Sequence, residues 1–201
     1  MLFRSLRRLR TEGNNSKYNS ILADYSKIVN DYFPKTSLYH VRKQLVQYTT
    51  EVENEEISGI VSSAMVMMAG NSNLPKQHWV AAEIYDYLFE ISIYQKNFIG
   101  AENYIARLIE INSQLYGKQA PAAHLSKLKY ANYLMDYSNR IKDALKIYNS
   151  SYDSVIAPQI GPWHKDHLII LNHLSSIYEL TDNYKKSTET IEKAKIGRAH
   201  V

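Results

Sequence analysis

The stretch FIGAENYIARL, residues 98–108, returns in altered form as IKDALKIYNSS at 141–151 and as YKKSTETIEKA at 184–194. The starts of the three copies, at 98, 141 and 184, are 43 residues apart. Within each copy, packing residues recur at steps of three, four and three, which is the spacing of one face of an amphipathic helix. These residues are Phe98, Ala101, Ile105 and Leu108, then Ile141, Ala144, Tyr148 and Ser151, then Tyr184, Ser187, Ile191 and Ala194. The sequence therefore predicts three copies of one helix.

A second predicted helix precedes each copy. Short polar turns at 95–97, 138–140 and 181–183 separate the two helices of each pair, so each pair is expected to form an antiparallel hairpin. Two such helices cannot bury their apolar faces alone, and neighbouring hairpins must therefore stack. The packing residues of the preceding helix are Ala82, Tyr85, Leu88 and Ile91, then Leu125, Leu128, Ala131 and Leu134, then Leu168, Leu171, Leu174 and Ile177.

The period divides the chain into repeat units. Gly and Pro are expected to end one unit and start the next in the segments 112–117 and 158–162. Upstream of these units the pattern is weaker, but it still indicates helices. The predicted units are part of a repeat at 6–33, a weaker hairpin at 34–74, and regular repeats at 75–120, 121–161 and 162–195.

The two ends of the chain match nothing in the repeat. Residues 196–201 can be written ATC GGA AGA GCA CAC GTC, and over ATCGGAAGAGCAC this string is the reverse complement of one that can encode residues 1–5. Both strings resemble a widely used sequencing adapter. We therefore expect residues 1–5 and 196–201 to be adapter-encoded, and the repeats to have been cut from something longer.

Composition favours an all-helical protein. With 45% hydrophobic and 22% charged residues the chain is globular in class, while seven Gly and five Pro are few for the many turns of a β-sandwich. The absence of Cys excludes disulfides and thiolate metal sites. A formal net charge of +4 is too small to predict binding to nucleic acid.

Nothing in the sequence predicts a membrane-spanning helix. The longest uncharged apolar stretch, residues 57–69, is shorter than the ~20 residues that a spanning helix needs. It reads as a packed helix, and we expect no membrane partner and a cytoplasmic location.

The stretch GPWHKDHLIILNHLSSIY at 161–178, followed by DNYKKS at 182–187, resembles tetratricopeptide (TPR) repeats of the longer kind found in kinesin light chain and in many bacterial arrays. This resemblance implies a right-handed α-solenoid of antiparallel helix hairpins. Four positions depart from the family pattern. They are Ser175 and Ser187, which replace small apolar residues, and Phe89 and Asn132, which stand where Gly or Ala is usual.

The resemblance also implies a binding surface, because in this family the first helix of each hairpin lines a concave groove. The matching positions are Asp86, Lys129 and Asn172, with Glu90, Tyr133 and Ser176 four residues later, about one helical turn away. We expect these six side chains to form a polar wall that binds a peptide or a partner helix. The predicted function is that of a protein-binding scaffold that performs no chemistry and needs no cofactor.

Other functions fit the residues less well. One alternative is the regulatory or tethering TPR region of a larger bacterial enzyme whose catalytic domain lies elsewhere. A helical RNA reader is disfavoured by the repeat length and by the acidic Asp86 and Glu90. A metal site at His164, His167 and His173 is disfavoured because no acidic or Cys ligand completes it. The sequence does not indicate an oligomeric state.

Overall fold

The computed structural model describes residues 13–35, 37–51, 78–160 and 165–198. The chain divides into two compact units, Met1–Tyr104 and Ile105–Val201. Helices joined by turns account for the described ranges, which contain no strand, so the predicted all-α class is confirmed.

Nine α-helices and one π-helical segment are described. The helices are α1 Asn15–Tyr32, α2 Leu38–Glu51, α3 Trp79–Tyr94, α4 Phe98–Tyr116, α5 Pro121–Asp136, α6 Ile141–Ser151, α7 Ala157–Ile160, α8 Lys165–Leu180 and α9 Tyr184–Arg198. The π-helical segment, Tyr152–Ile156, joins α6 directly to α7. The boundary between the two compact units falls inside α4.

In the first unit, α1 packs on α2 and α2 packs on α3. Helix α1 begins where the Asn14 carboxamide accepts a hydrogen bond from the Lys17 backbone N–H at 3.3 Å, which satisfies one of the free N–H groups of the first turn. Tyr18 and Val29 are its buried residues. The second helix predicted for the hairpin at 34–74, and the apolar stretch 57–69, lie outside the described residues.

In the second unit, α5 packs on α6, α8 packs on α9, and α8 also contacts α5 and α6. The core follows the predicted stripes of the first helices, because the last three positions of each stripe are buried. These are Leu128, Ala131 and Leu134 of α5, and Leu171, Leu174 and Ile177 of α8. The small residues Ala144 and Ser187 are also buried, as a close helix crossing requires. A hydrogen bond of 3.1 Å from the Tyr178 hydroxyl to the Asn149 carboxamide joins α8 to α6.

Each hairpin turn contains one left-handed residue. Lys96, Asn139 and Asp182 have φ values of 58°, 51° and 58°, and these three left-handed residues again lie 43 apart. In the first and third turns, the residue that follows donates its N–H to a carbonyl five residues earlier, from Asn97 to Ser92 and from Asn183 to Tyr178, both at 2.8 Å. This is the Schellman ending of a helix. The three predicted turns are thereby confirmed.

For three of the predicted packing residues, the prediction that they are buried is wrong. Phe98 and Tyr184 are exposed because they stand first in their helices, next to the turn. Ile191 of α9 is also exposed. The periodicity identifies the face of a helix correctly, but it does not tell whether another element covers each position on that face.

The connections between hairpins also differ from the prediction. Residues 112–116 belong to α4, which ends before Gly117 with its φ of +94°. Pro121 starts α5 as predicted, but Pro158 lies inside α7. Helix α9 continues to Arg198 and therefore includes the first three residues of the segment 196–201.

Candidate partner-binding surface

The predicted wall residues of the second unit lie on α5 and α8. Lys129 is half-buried on α5, whereas Asn172 and Ser176 are exposed on α8. The Ser176 hydroxyl donates to the Asn172 backbone carbonyl of its own helix at 3.2 Å. The Asn172 carboxamide, with two donors and an acceptor oxygen, is exposed to an approaching chain.

Tyr133 does not belong to an exposed wall. Only 2% of it is exposed, and its ring lies between Tyr130 and Tyr137, with centroids 6.1 and 6.0 Å away. A tyrosine ring carries a large apolar area, so its burial is favoured wherever the neighbouring rings leave room for it. The spacing predicted correctly that Lys129 and Tyr133 lie on one helix, but the Tyr133 ring is buried and not exposed.

Two apolar residues extend the surface of α8. Ile169 is 50% exposed and Leu180 is 58% exposed, and both belong to the same helical face as Asn172 and Ser176 because the steps are three, four and four. We call these four residues the α8 face. It has polar groups at its centre and a large apolar side chain near each end. The sequence analysis missed Ile169 and Leu180, although the same spacing rule applied to Asn172 and Ser176 would have found them.

In the first unit, Asp86 and Glu90 are half-buried on α3, and both interact with other groups of the chain. Helix α3 is anchored by Arg42 of α2, which is 4% exposed. The Arg42 Nε lies 2.6 Å from Glu83 Oε2 of α3, and its guanidinium lies 5.2 Å from the centre of the Trp79 ring. Arg42 is buried whereas Glu83 is partly exposed, and a buried charge is costly to separate from its partner, so the pair favours this orientation of α3.

Arg42 also binds α1. Its Nη1 donates to the Tyr25 hydroxyl at 3.1 Å, and its guanidinium lies 5.2 Å from the centre of the Tyr25 ring. Burial raises the pKa of Tyr25, although the adjacent positive charge of Arg42 opposes that effect. One cation therefore connects α1, α2 and α3.

Residue types that ligate metals do not cluster in the parts of the chain that the structure describes. Within 13–35, 37–51, 78–160 and 165–198, no three or more His, Cys, Asp or Glu residues are grouped so that they could hold a metal ion. His167 is buried against the Tyr152 hydroxyl, and His164 lies outside the described ranges. In the same ranges, no helix has both the length and the apolar character needed to cross a bilayer.

No protein-family model and no curated protein sequence matches the chain. Solved structures do match. A protein from Podosopora anserina assigned as a kinesin light chain, with nearly identical TPR-like repeats, superposes with a TM-score of 0.67 at 13% identity, over 99% of this chain and 94% of that one. A variant form of the same protein gives a TM-score of 0.68 at 13% identity, over 99% of this chain and 93% of that one.

BtubC (BKLC) from P. vanneervenii superposes with a TM-score of 0.74 at 15% identity, covering 97% of this chain and 77% of that chain. Identities this low establish the fold and nothing finer. The chain has a TPR-like helical-repeat fold, and the resemblance to repeats of the kinesin-light-chain kind is confirmed at the level of the fold.

Proposed function

We propose that this chain is a protein-binding scaffold that holds a peptide or a partner helix against the α8 face. The observation that carries the proposal is the composition of that face, where Ile169 and Leu180 flank Asn172 and Ser176 and all four are exposed. TPR-like repeats generally mediate contacts between proteins, which supports a protein as the partner. The proposal includes no catalytic step and neither nucleic acid nor membrane as a partner.

The chemistry of the α8 face fits a polypeptide. A partner backbone offers both N–H and C=O groups, and the Asn172 carboxamide can donate to one and accept from the other. Apolar side chains of the partner would cover Ile169 and Leu180, which lie about 16 Å apart along the helix at 1.5 Å per residue. An extended segment of about four to six residues spans that distance, and so does an amphipathic helix of about three turns.

Lys129 and the acidic pair Asp86 and Glu90 remain predicted contacts of this scaffold, and Tyr133 is left out because it is buried. A lysine on α5 favours an acidic side chain in the partner, whereas two carboxylates on α3 favour a basic one. The alternative, a regulatory or tethering region of a larger bacterial enzyme, uses the same surfaces and stays a prediction, as does the cytoplasmic location.

The first test uses a peptide selected from a random displayed library against the whole chain, and measures its Kd by fluorescence anisotropy. Asn172→Ala should weaken binding about 2- to 10-fold, since one hydrogen bond at an interface contributes about 0.5–1.5 kcal/mol. The matched control is Asn103→Ala, which removes an exposed carboxamide from α4. Circular dichroism should show equal helicity in all three proteins.

A second pair of variants tests the apolar ends of the α8 face. Ile169→Glu should weaken binding of the same peptide about tenfold or more, because it places a charge where an apolar contact is expected. Ile99→Glu, at an exposed isoleucine of α4, should leave the Kd unchanged. Parental affinity in both Asn172→Ala and Ile169→Glu would show that the peptide binds elsewhere.

A further inference from the structure

Two histidines occupy the same position in consecutive repeats. His124 of α5 and His167 of α8 are 43 residues apart, and both are buried near the start of the first helix of their hairpin, with 5% and 7% exposed. Both belong to the second compact unit. Histidine is the side chain whose charge changes most readily near neutral pH, so two buried copies at one repeat position invite comparison of their surroundings.

One ring nitrogen of His167, the Nε2, has a partner that tolerates either protonation state. Its Nε2 lies 2.9 Å from the Tyr152 hydroxyl, and the two rings meet edge to face with centroids 5.3 Å apart. A tyrosine hydroxyl donates to a neutral imidazole nitrogen and accepts from a protonated one, so the hydrogen bond survives a change of charge. Burial, followed by the nearby Asp153, raises the pKa of Tyr152 to about 12, so the hydroxyl keeps its proton at neutral pH.

His124 has no such partner. The position equivalent to Tyr152, 43 residues earlier, is Ile109 of α4, which has no hydroxyl. Neither ring nitrogen of His124 makes a hydrogen bond of normal geometry to any part of the chain that the structure describes. The same joint contains one satisfied polar contact, a 2.7 Å hydrogen bond from the Asn112 carboxamide of α4 to the Ser126 hydroxyl of α5.

The charged groups near His124 make its protonation less favourable. Burial lowers the pKa of His124 first, and the positive Lys127 on the same helix lowers it further. Lys118, in the connection between α4 and α5, acts in the opposite direction through its backbone, which approaches the ring without the geometry of a good hydrogen bond. Among the described residues, no carboxylate contributes to this lowering of the pKa of His124.

We infer that His124 makes the joint between the end of α4 and the start of α5 acid-sensitive, whereas His167 keeps its hydrogen bond to Tyr152 in acid. The direction of the pH effect follows from the pKa of His124 in the unfolded and in the folded chain. In the unfolded chain His124 gains its proton near pH 6.5, but in the folded joint it does so only at lower pH. The stability of the joint is therefore fully present above about pH 6.5 and declines as the pH falls towards the folded value.

This inference does not depend on the proposed binding function, because it concerns the order of the joint itself. Hydrogen exchange of the whole chain, followed by mass spectrometry at about pH 7.5 and about pH 5 and corrected for intrinsic rates, tests it directly. Residues 105–136 should lose protection at the lower pH. The expected loss is about tenfold for each pH unit that the pH falls between the pKa of His124 in the unfolded chain and its pKa in the folded chain. Residues 165–198 should change much less.

Two variants complete the experiment. His124→Gln keeps a neutral polar side chain and should remove most of the acid-induced loss in 105–136, whereas His167→Gln, its repeat equivalent, should retain that loss. An equal loss of protection in both segments, or a full acid response in His124→Gln, would overturn the inference. If His124→Gln does not fold, NMR titration of the His124 ring in the parent decides instead. A titration midpoint at a lower pH than that of a free histidine supports the inference, and a midpoint at the same or a higher pH overturns it.

Discussion

At the scale of single residues, one repeat position shows three different solutions to the same packing problem. Phe89, Asn132 and Ser175 are equivalent, and each departs from the small apolar residues of the TPR pattern. Phe89 is buried, Asn132 accepts a hydrogen bond from the Tyr148 hydroxyl, and the Ser175 hydroxyl lies 2.9 Å from that of Ser187. The sequence revealed the departures, but not the partners of Asn132 and Ser175, because these partners lie on the other helix of the hairpin.

The pair of Asn132 and Tyr148 gives the first prediction at this scale. Tyr148 is buried, and burial raises its pKa, so its hydroxyl remains a neutral donor that needs an acceptor. Asn132→Ala should therefore lower the free energy of unfolding by about 1–3 kcal/mol, the cost of leaving a buried hydroxyl unsatisfied. Urea unfolding followed by circular dichroism measures this change.

A double-mutant cycle isolates the contact from the volume lost. In a Tyr148→Phe background the hydroxyl is gone, so Asn132→Ala should cost clearly less than it does in the parent. Equal costs in the two backgrounds would mean that the hydrogen bond contributes nothing and that Asn132 matters only through the space it fills.

At the scale of helices and turns, the polar residues of the sequence placed the three hairpin turns correctly, but they did not predict the conformation of the turns. Asn139 and Asp182 are residue types that tolerate a positive φ, whereas Lys96 is not. A left-handed residue recurs in each turn because the chain must reverse between the two helices of a hairpin. Local preference at position 96 is overridden by that requirement.

Lys96 is therefore the place where a glycine should help. Lys96→Gly removes the steric cost of the left-handed conformation and should raise the free energy of unfolding by about 1 kcal/mol. The matched control is Gln95→Gly, because Gln95 has a φ of −77° and gains nothing from glycine. That variant should instead destabilise the protein by about 0.5–1 kcal/mol.

Thermal and urea unfolding of the two variants should move in opposite directions. If both variants lower the free energy of unfolding, the Lys96 side chain stabilises the turn by more than its left-handed backbone conformation costs.

At the scale of the whole molecule, the repeat period was sufficient to predict the helix pairs, while the binding surface needed coordinates. A period of 43 locates the helices and their inward faces, because burial of apolar area determines both. The outward faces carry no such constraint. This is why Tyr133 was placed on the surface, although its helix was predicted correctly. Ile169 and Leu180 share the helical spacing of Asn172 and Ser176, but only the coordinates show that they are exposed.

The chain has seventeen tyrosines, and those that are buried make the stability of the fold sensitive to alkali. Burial is the main cause that raises the pKa of Tyr104, Tyr148, Tyr152 and Tyr178. A tyrosine in the unfolded chain ionises near pH 10, so above that value the unfolded state releases protons that the folded state retains. Stability is therefore fully present below about pH 10 and is lost as the pH rises towards the folded values, which for Tyr152 means a pKa of about 12.

Tyr152→Phe tests this linkage, because it removes one of the retained protons. The variant starts from a lower stability, since it lacks the hydrogen bond to His167, but its urea midpoint should fall less steeply than that of the parent between about pH 9 and about pH 11. Tyr116→Phe is the control, because the Tyr116 ring is exposed and its hydroxyl meets water in both states. Its midpoint should follow the parent throughout. A Tyr152→Phe curve parallel to the parent would show that alkali acts through other groups, such as the lysines, whose loss of charge is common to all three proteins.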